Sequence, residues 1–107
     1  MCGQSDPSLD TLIQAARADF ARRLAAKASE LDNLVERSDW AEARRAAHKL
    51  CGSAGVYGFG TLGVIAAALE EVLMSAGSAP DLGARATIRE KLEEIRIEVE
   101  RALRQVS

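Results

Sequence analysis

The chain has 107 residues, enough for one domain with one core but too few for separate nucleotide-binding and substrate-binding lobes. Its net charge of −2 argues against an electrostatic nucleic-acid binder, because phosphate contacts need a surplus of basic side chains. The two cysteines form no disulfide framework or metal-ligand spacing, and no apolar run approaches the roughly 20 residues of a membrane span. We therefore expect one cytoplasmic domain over residues 1–107 that binds neither nucleic acid nor membrane.

The first predicted helix starts at Pro7, a residue favoured at the first helical position, with Asp6 as its cap. Residues 1–6 are expected to be a flexible tail. The apolar residues that follow recur at helical spacing: Leu9, Leu12, Ile13, Ala16, Phe20, Leu24, Leu31 and Leu34 or Val35. This pattern predicts one helix over about residues 7–37, or a short extra N-terminal helix if the chain breaks near Ala16.

The second helix is predicted over about residues 39–57. Ser38 or Asp39 is its cap, and Glu42 follows Asp39 at the spacing of a capping box. Gly58 and Gly60 are expected to end it. The third helix is predicted over residues 60–76, and a Ser, Gly and Pro linker follows. Its apolar stripe consists of Leu62, Ile65, Ala66, Leu69, Val72 and Leu73.

The last helix is predicted over residues 81–106, where apolar residues alternate in steps of four and three with charged residues between them. These apolar residues are Ile88, Leu92, Ile95, Val99, Ala102 and Val106. Four amphipathic helices with short connections predict an all-α fold, an antiparallel up-down-up-down four-helix bundle. The last stripe could instead pair two chains, although we expect a monomer.

The only histidine, His48, lies in the second helix on the side that faces away from the predicted core. If Leu50 points into the core, His48 lies roughly 140° from the middle of the apolar stripe and is exposed. Its own face carries Arg44, Arg45, Gly52 and Gly55. An exposed imidazole between cationic side chains and almost bare backbone suits a nucleophile that another protein must reach.

The order His48-x-Leu50-x-Gly52-Ser53-Ala54-Gly55, followed by Gly58, Leu62, Ala66 and Leu69-Glu70, resembles the histidine-containing phosphotransfer (HPt) domains of two-component phosphorelays. The resemblance implies that His48 accepts a phosphoryl group from the aspartate of one response-regulator receiver domain and passes it to another. It implies receiver domains and a hybrid sensor histidine kinase as partners. It also implies no cofactor in this chain, with Mg²⁺ on the receiver only, and no ATP site of an enzyme.

In phosphoryl transfer, the nucleophile needs an available lone pair and an in-line approach to phosphorus. A carboxylate that accepts from the Nδ1–H of His48 would leave Nε2 free to attack. Glu70 is the candidate for this orienting group, since the family often has Glu or Gln at the matching position. The alternative is an ordinary solvated glutamate.

Gly52 lies one turn after His48, and a glycine inside a helix costs about 0.5 to 1 kcal/mol relative to alanine. Open space beside the imidazole would explain it, and the small Ser53 and Gly55 would help to keep that space open. The alternative is that Gly52 lets a neighbouring helix approach closely.

The basic residues Arg44, Arg45 and Lys49 could contact the phosphoryl group or the acidic pocket of a receiver, or form only a solvated helix face. Cys51 departs from the family, because HPt domains commonly carry a phosphate-binding Lys at that position. Either Lys49 or an arginine replaces that lysine, or phosphorylated His48 is less stabilised, or the domain has a modified role.

Two other functions stay open. In one, the bundle is an adaptor that binds receivers or kinases without being phosphorylated, and the missing lysine at position 51 is the best argument for it. In the other, a histidine kinase loads the domain directly from ATP, which the absence of attached catalytic domains disfavours.

Overall fold

The computed structural model describes residues 7–106, and the side chains of residues 9–106. It contains four helices: α1 (Pro7–Glu36), α2 (Trp40–Val56), α3 (Gly60–Ala76) and α4 (Leu82–Val106). Each helix packs against the next, and α4 packs back against α1, so the helices close a ring around one core. Connections as short as residues 37–39 and 57–59 join antiparallel neighbours. The predicted all-α four-helix bundle is confirmed.

The apolar stripes of the four helices meet in this core. Burying one large aliphatic or aromatic side chain contributes about 1.5–3 kcal/mol, so these side chains supply most of the driving force for folding. The largest fully buried ones are Phe20, Leu24, Leu31, Leu62, Leu69, Ile88 and Ile95. Ile88 is 0% and Ile95 is 1% exposed, so these residues of the α4 stripe pack in the core of their own chain.

The N-terminal turns of α1 differ from the prediction in two ways. α1 is one continuous helix, so the chain neither breaks near Ala16 nor forms a short extra helix in the described residues. Leu9, Leu12 and Ile13 are 54%, 67% and 52% exposed, although they continue the apolar stripe. The reason is length: Phe20 already stacks on Tyr57, just after the end of α2, so the earlier turns of α1 extend past the bundle. The predicted cap Asp6 and tail 1–6 lie outside the described residues.

Asp39, rather than Ser38, caps α2. Its side-chain oxygen Oδ1 accepts a hydrogen bond from the backbone N–H of Glu42 at 3.4 Å. Ser38 instead ends α1, with a left-handed φ of 57° and its N–H donated to the carbonyl of Val35. The Asp39 N–H donates a hydrogen bond to the carbonyl of Leu34, which completes the hydrogen-bonding pattern of a Schellman turn.

The turn between α2 and α3 is held by its own backbone and by α1. Gly58 has a φ of 81° and ends α2 as predicted, whereas Gly60 is the first residue of α3 and does not end α2. Arg17 of α1 donates from Nε to the carbonyl oxygen of Tyr57 at 3.0 Å, and its guanidinium lies 4.8 Å from the ring centroid of Phe59. This turn therefore sets the relative positions of α2 and α3.

Candidate functional site

His48 lies on the outer side of α2. The buried residues of α2 are Ala43, Ala47, Leu50 and Ala54, so Leu50 points into the core, as the prediction for His48 assumed. The His48 side chain is 74% exposed, and its Nδ1 lies 2.9 Å from Oε2 of Glu70 on α3. An ionised carboxylate can only accept, so Nδ1 carries the hydrogen, and Nε2 of the neutral ring keeps its lone pair. The imidazole is thus fixed at one nitrogen and open at the other.

Glu70 is held at the edge of the core rather than in solvent. Its neighbour Leu69 is 0% exposed, and the Glu70 side chain itself is only 19% exposed. The structure places this carboxylate against His48 Nδ1, the position at which the sequence analysis placed an orienting group. The alternative of an ordinary solvated glutamate does not describe this side chain.

The backbone beside the imidazole is open at two glycines. A Cβ added at Gly52 or at Gly55 would meet no atom within 4 Å outside the neighbouring backbone of α2. The alternative explanation for Gly52, close approach of another helix, is therefore wrong. Ser53 is half-buried, so it contributes less than the two exposed glycines to the open surface beside the imidazole.

The close approach of helices occurs at Gly63, a residue that the sequence analysis overlooked. A Cβ built on Gly63 lies 3.5 Å from the carbonyl oxygen of Cys51 and 3.8 Å from Cβ of Ala54. The backbones of α2 and α3 are therefore in close contact between Gly63 and the turn of α2 that follows His48. The sequence does contain a signal for this contact: Gly63 lies on the apolar side of a helix. A glycine weakens a helix, so its presence there needs a compensating reason such as close packing.

The basic residues around His48 differ in what they bind. Arg45 is paired with Glu42, which lies one turn earlier on α2. Arg44 and Lys49 form no ion pair with another described residue. Together with His48 and Glu70, these basic residues line a shallow depression of about 230 Å³. Two cations beside the imidazole thus keep their charge available to an anion from outside.

Cys51 does not take part in this depression. Its thiol is free and half-buried, and it packs against the core between α2 and α3. The position that carries a lysine in many HPt domains therefore offers neither a charge nor an exposed side chain here. Cys2, the other cysteine, lies outside the described residues.

Within residues 7–106, no group of three or more His, Cys, Asp or Glu side chains is placed to hold a metal ion. None of the helices in this range is both long and apolar enough to cross a membrane.

Comparison with known families identifies this arrangement. The profile described as Hpt domain matches residues 9–105, which covers nearly all of the four helices. The chain belongs to the Hpt domain family. Hpt domains carry out histidine phosphotransfer in phosphorelays, and they interact with response-regulator receiver domains and kinases. Comparisons with curated proteins and with solved structures gave no significant match.

Proposed function

We propose that this Hpt domain is a phosphorelay carrier that accepts a phosphoryl group on Nε2 of His48 from a receiver aspartate and passes it to a second receiver. The observation that carries the proposal is the His48–Glu70 contact, 2.9 Å between Nδ1 and Oε2, combined with a ring that is 74% exposed. A solvent-facing histidine needs no such partner for folding. A nucleophile that must present one particular nitrogen needs a partner that holds the other nitrogen.

The transfer can be written with atoms and charge in balance. The lone pair of Nε2 attacks phosphorus, the bond from phosphorus to the aspartyl oxygen breaks, and the receiver carboxylate leaves with the electron pair. The ring gains positive charge while Nδ1 keeps its hydrogen, so no base has to remove a proton. The Glu70 carboxylate stabilises that charge through the Nδ1–H hydrogen bond. The reverse sequence of steps delivers the group to the second receiver.

Arg44 and Lys49 are the residues that would take over phosphate binding from the lysine usual in the family. Both are exposed, both line the depression at His48, and neither is neutralised by a described acidic side chain. Arg45 lines the same depression but already pairs with Glu42. Cys51 is half-buried and binds no phosphoryl oxygen in this proposal.

The receiver would supply the rest of the reaction centre. Its aspartate, its Mg²⁺ and the loops around them must approach Nε2 in line, and the open backbone at Gly52 and Gly55 leaves room for those loops. The Hpt domain contributes an oriented nucleophile and two cations. It acts as a carrier without an ATP site or a cofactor of its own.

The test is to mix this protein with a receiver domain that carries a labelled aspartyl phosphate and to follow the label. We expect acid-labile, base-stable label on the native protein, and none on a His48→Ala variant with the same circular dichroism spectrum. A control variant, Glu100→Ala, removes an exposed side chain on α4 that does not line the depression at His48, and it should still accept label.

The result that would overturn the carrier is binding to a receiver without transfer from any receiver of the source organism. That result would favour the adaptor function, for which the uncharged, half-buried Cys51 is the specific observation. Label that arrives from a histidine kinase and ATP, but from no receiver, would instead favour direct loading by a kinase.

A further inference from the structure

We infer that Gly63 is a positioning residue for His48: by letting α3 lie against the backbone of α2, it brings Glu70 within hydrogen-bonding distance of the imidazole. The inference rests on the proposed function only for the role that the His48–Glu70 pair has in transfer. The geometric part stands on distances in the free protein.

A methyl group at Gly63 would already be in contact with α2. A Cβ there would lie 3.5 Å from the carbonyl oxygen of Cys51 and 3.8 Å from the backbone nitrogen of Gly55, both ordinary van der Waals contacts. These two atoms belong to the helical backbone of α2, which cannot rotate aside as a flexible side chain can. A next atom beyond Cβ would meet that backbone, so α3 would have to move away.

Movement at Gly63 is transmitted to Glu70 because both lie on one stiff helix. Glu70 follows Gly63 by two turns, on the same side of α3. The near end of α3 is tied by the turn at Gly58 and by the bond from Arg17 to Tyr57. A wedge close to a tied end displaces the farther part of the helix most, and the 2.9 Å contact lies in that part.

The side chain that faces Gly63 from α2 is small as well. A Cβ built on Gly63 would lie 3.8 Å from Cβ of Ala54, which is 0% exposed, so no large side chain at this position of α2 holds the two backbones apart. By contrast, a Cβ added at Gly60 on the same helix would have nothing within 4 Å, so Gly60 contributes no such contact. Position 63 therefore differs from position 60 in its neighbours and not in its residue type.

The experiment reads the ring of His48 directly, in the unphosphorylated protein and without a partner. Long-range ¹H–¹⁵N correlation at alkaline pH, where the imidazole is neutral, distinguishes the protonated nitrogen from the bare one. We expect the wild-type ring to be protonated at Nδ1 and bare at Nε2. Glu70→Ala provides the reference spectrum of a ring that is no longer held.

We expect Gly63→Leu to give the ring spectrum of Glu70→Ala and to lower the rate of phosphoryl uptake to the level of that variant. Leucine is a good helix former, so the helix propensity of α3 does not account for the loss. Gly63→Ala, whose Cβ fits, should keep the wild-type spectrum and rate. Gly60→Leu is the matched control, and it should also leave both unchanged.

A folded Gly63→Leu protein with the wild-type ring spectrum would overturn the inference. If that variant does not fold, Gly63→Ser, with one atom beyond Cβ, takes its place. A partial loss of Nδ1 protonation in the serine variant supports the inference, and an unchanged ring spectrum overturns it. If the wild-type protein accepts no phosphate from any receiver, the proposed function fails, while the ring spectra still decide the role of Gly63.

Discussion

Two charged faces of this bundle are built differently. Along α4, three basic residues each have an acidic partner one turn earlier or later: Lys91 with Glu94, Arg96 with Glu93, and Arg101 with Glu98. On the His48 face of α2, formed by Arg44, Arg45, His48, Gly52 and Gly55, only Arg45 has such a partner. Charges that are neutralised locally keep a helix soluble, whereas charges left unpaired beside a nucleophile can bind an incoming anion.

Among changes on the His48 face, a bulky residue at Gly52 is expected to have the largest effect on phosphoryl transfer. We expect Gly52→Leu to slow phosphoryl uptake from a receiver by about 100-fold or more, because the new side chain occupies the open approach to the imidazole. The melting temperature should stay the same or rise slightly, since leucine favours a helix over glycine by about 0.5–1 kcal/mol. Uptake kinetics and thermal unfolding measure the two effects separately.

Glu100→Leu, on the exposed side of α4, is the control for an added apolar side chain and should leave uptake unchanged. An unfolded Gly52→Leu protein would contradict the open-surface explanation, because it would show that the glycine is needed for packing.

A smaller effect is expected when one free cation is removed. Arg44→Ala should lower the rate of phosphoryl transfer about tenfold, which corresponds to about 1.4 kcal/mol of lost transition-state stabilisation. Arg101→Ala removes an arginine that already pairs with Glu98, so it should change the rate by less than about twofold. Equal rates for the two variants in single-turnover transfer would show that Arg44 belongs to a solvated face only.

The smallest effect concerns the lysine that the family usually has at position 51. Cys51→Lys should lengthen the lifetime of phosphorylated His48 by about two- to threefold, because the stem of a lysine can cross the half-buried position while its ammonium reaches the phosphoryl oxygens. Cys51→Ala, without a charge, should show the native lifetime. A lysine variant that loses phosphate as fast as the native protein would mean that Arg44 and Lys49 already provide this charge.

The helices and their order could be predicted because each core helix repeats its apolar residues at the helical period. The same period misled the analysis at Leu9 and Leu12, since periodicity shows that a helix has an apolar side and not whether another helix reaches it. Both residues lie beyond the end of α2 and are exposed. The length of a neighbouring helix decides that outcome.

The site was predictable in part. The spacing of His48 from Leu50 placed the ring outside the core, and the resemblance to HPt domains pointed to Glu70. The pairing of Arg45 with Glu42 was missed, although Arg45 follows Glu42 by three residues, a spacing at which helical side chains meet. Arg44 follows Glu42 by two residues, a spacing at which they do not. Gly63 was missed although a glycine on the apolar side of α3 signals close packing; the partner that it contacts depends on how the two helices pack, which the pattern of one helix does not contain.

The exposure of His48 also has a consequence in time. In the proposed function, a phosphoryl group on a ring that is 74% exposed would meet water as well as a receiver. Burial would then contribute nothing to the lifetime of that group. The lifetime would be set by the chemistry of the phosphoimidazole and by the charges of Arg44 and Lys49, which line the same depression.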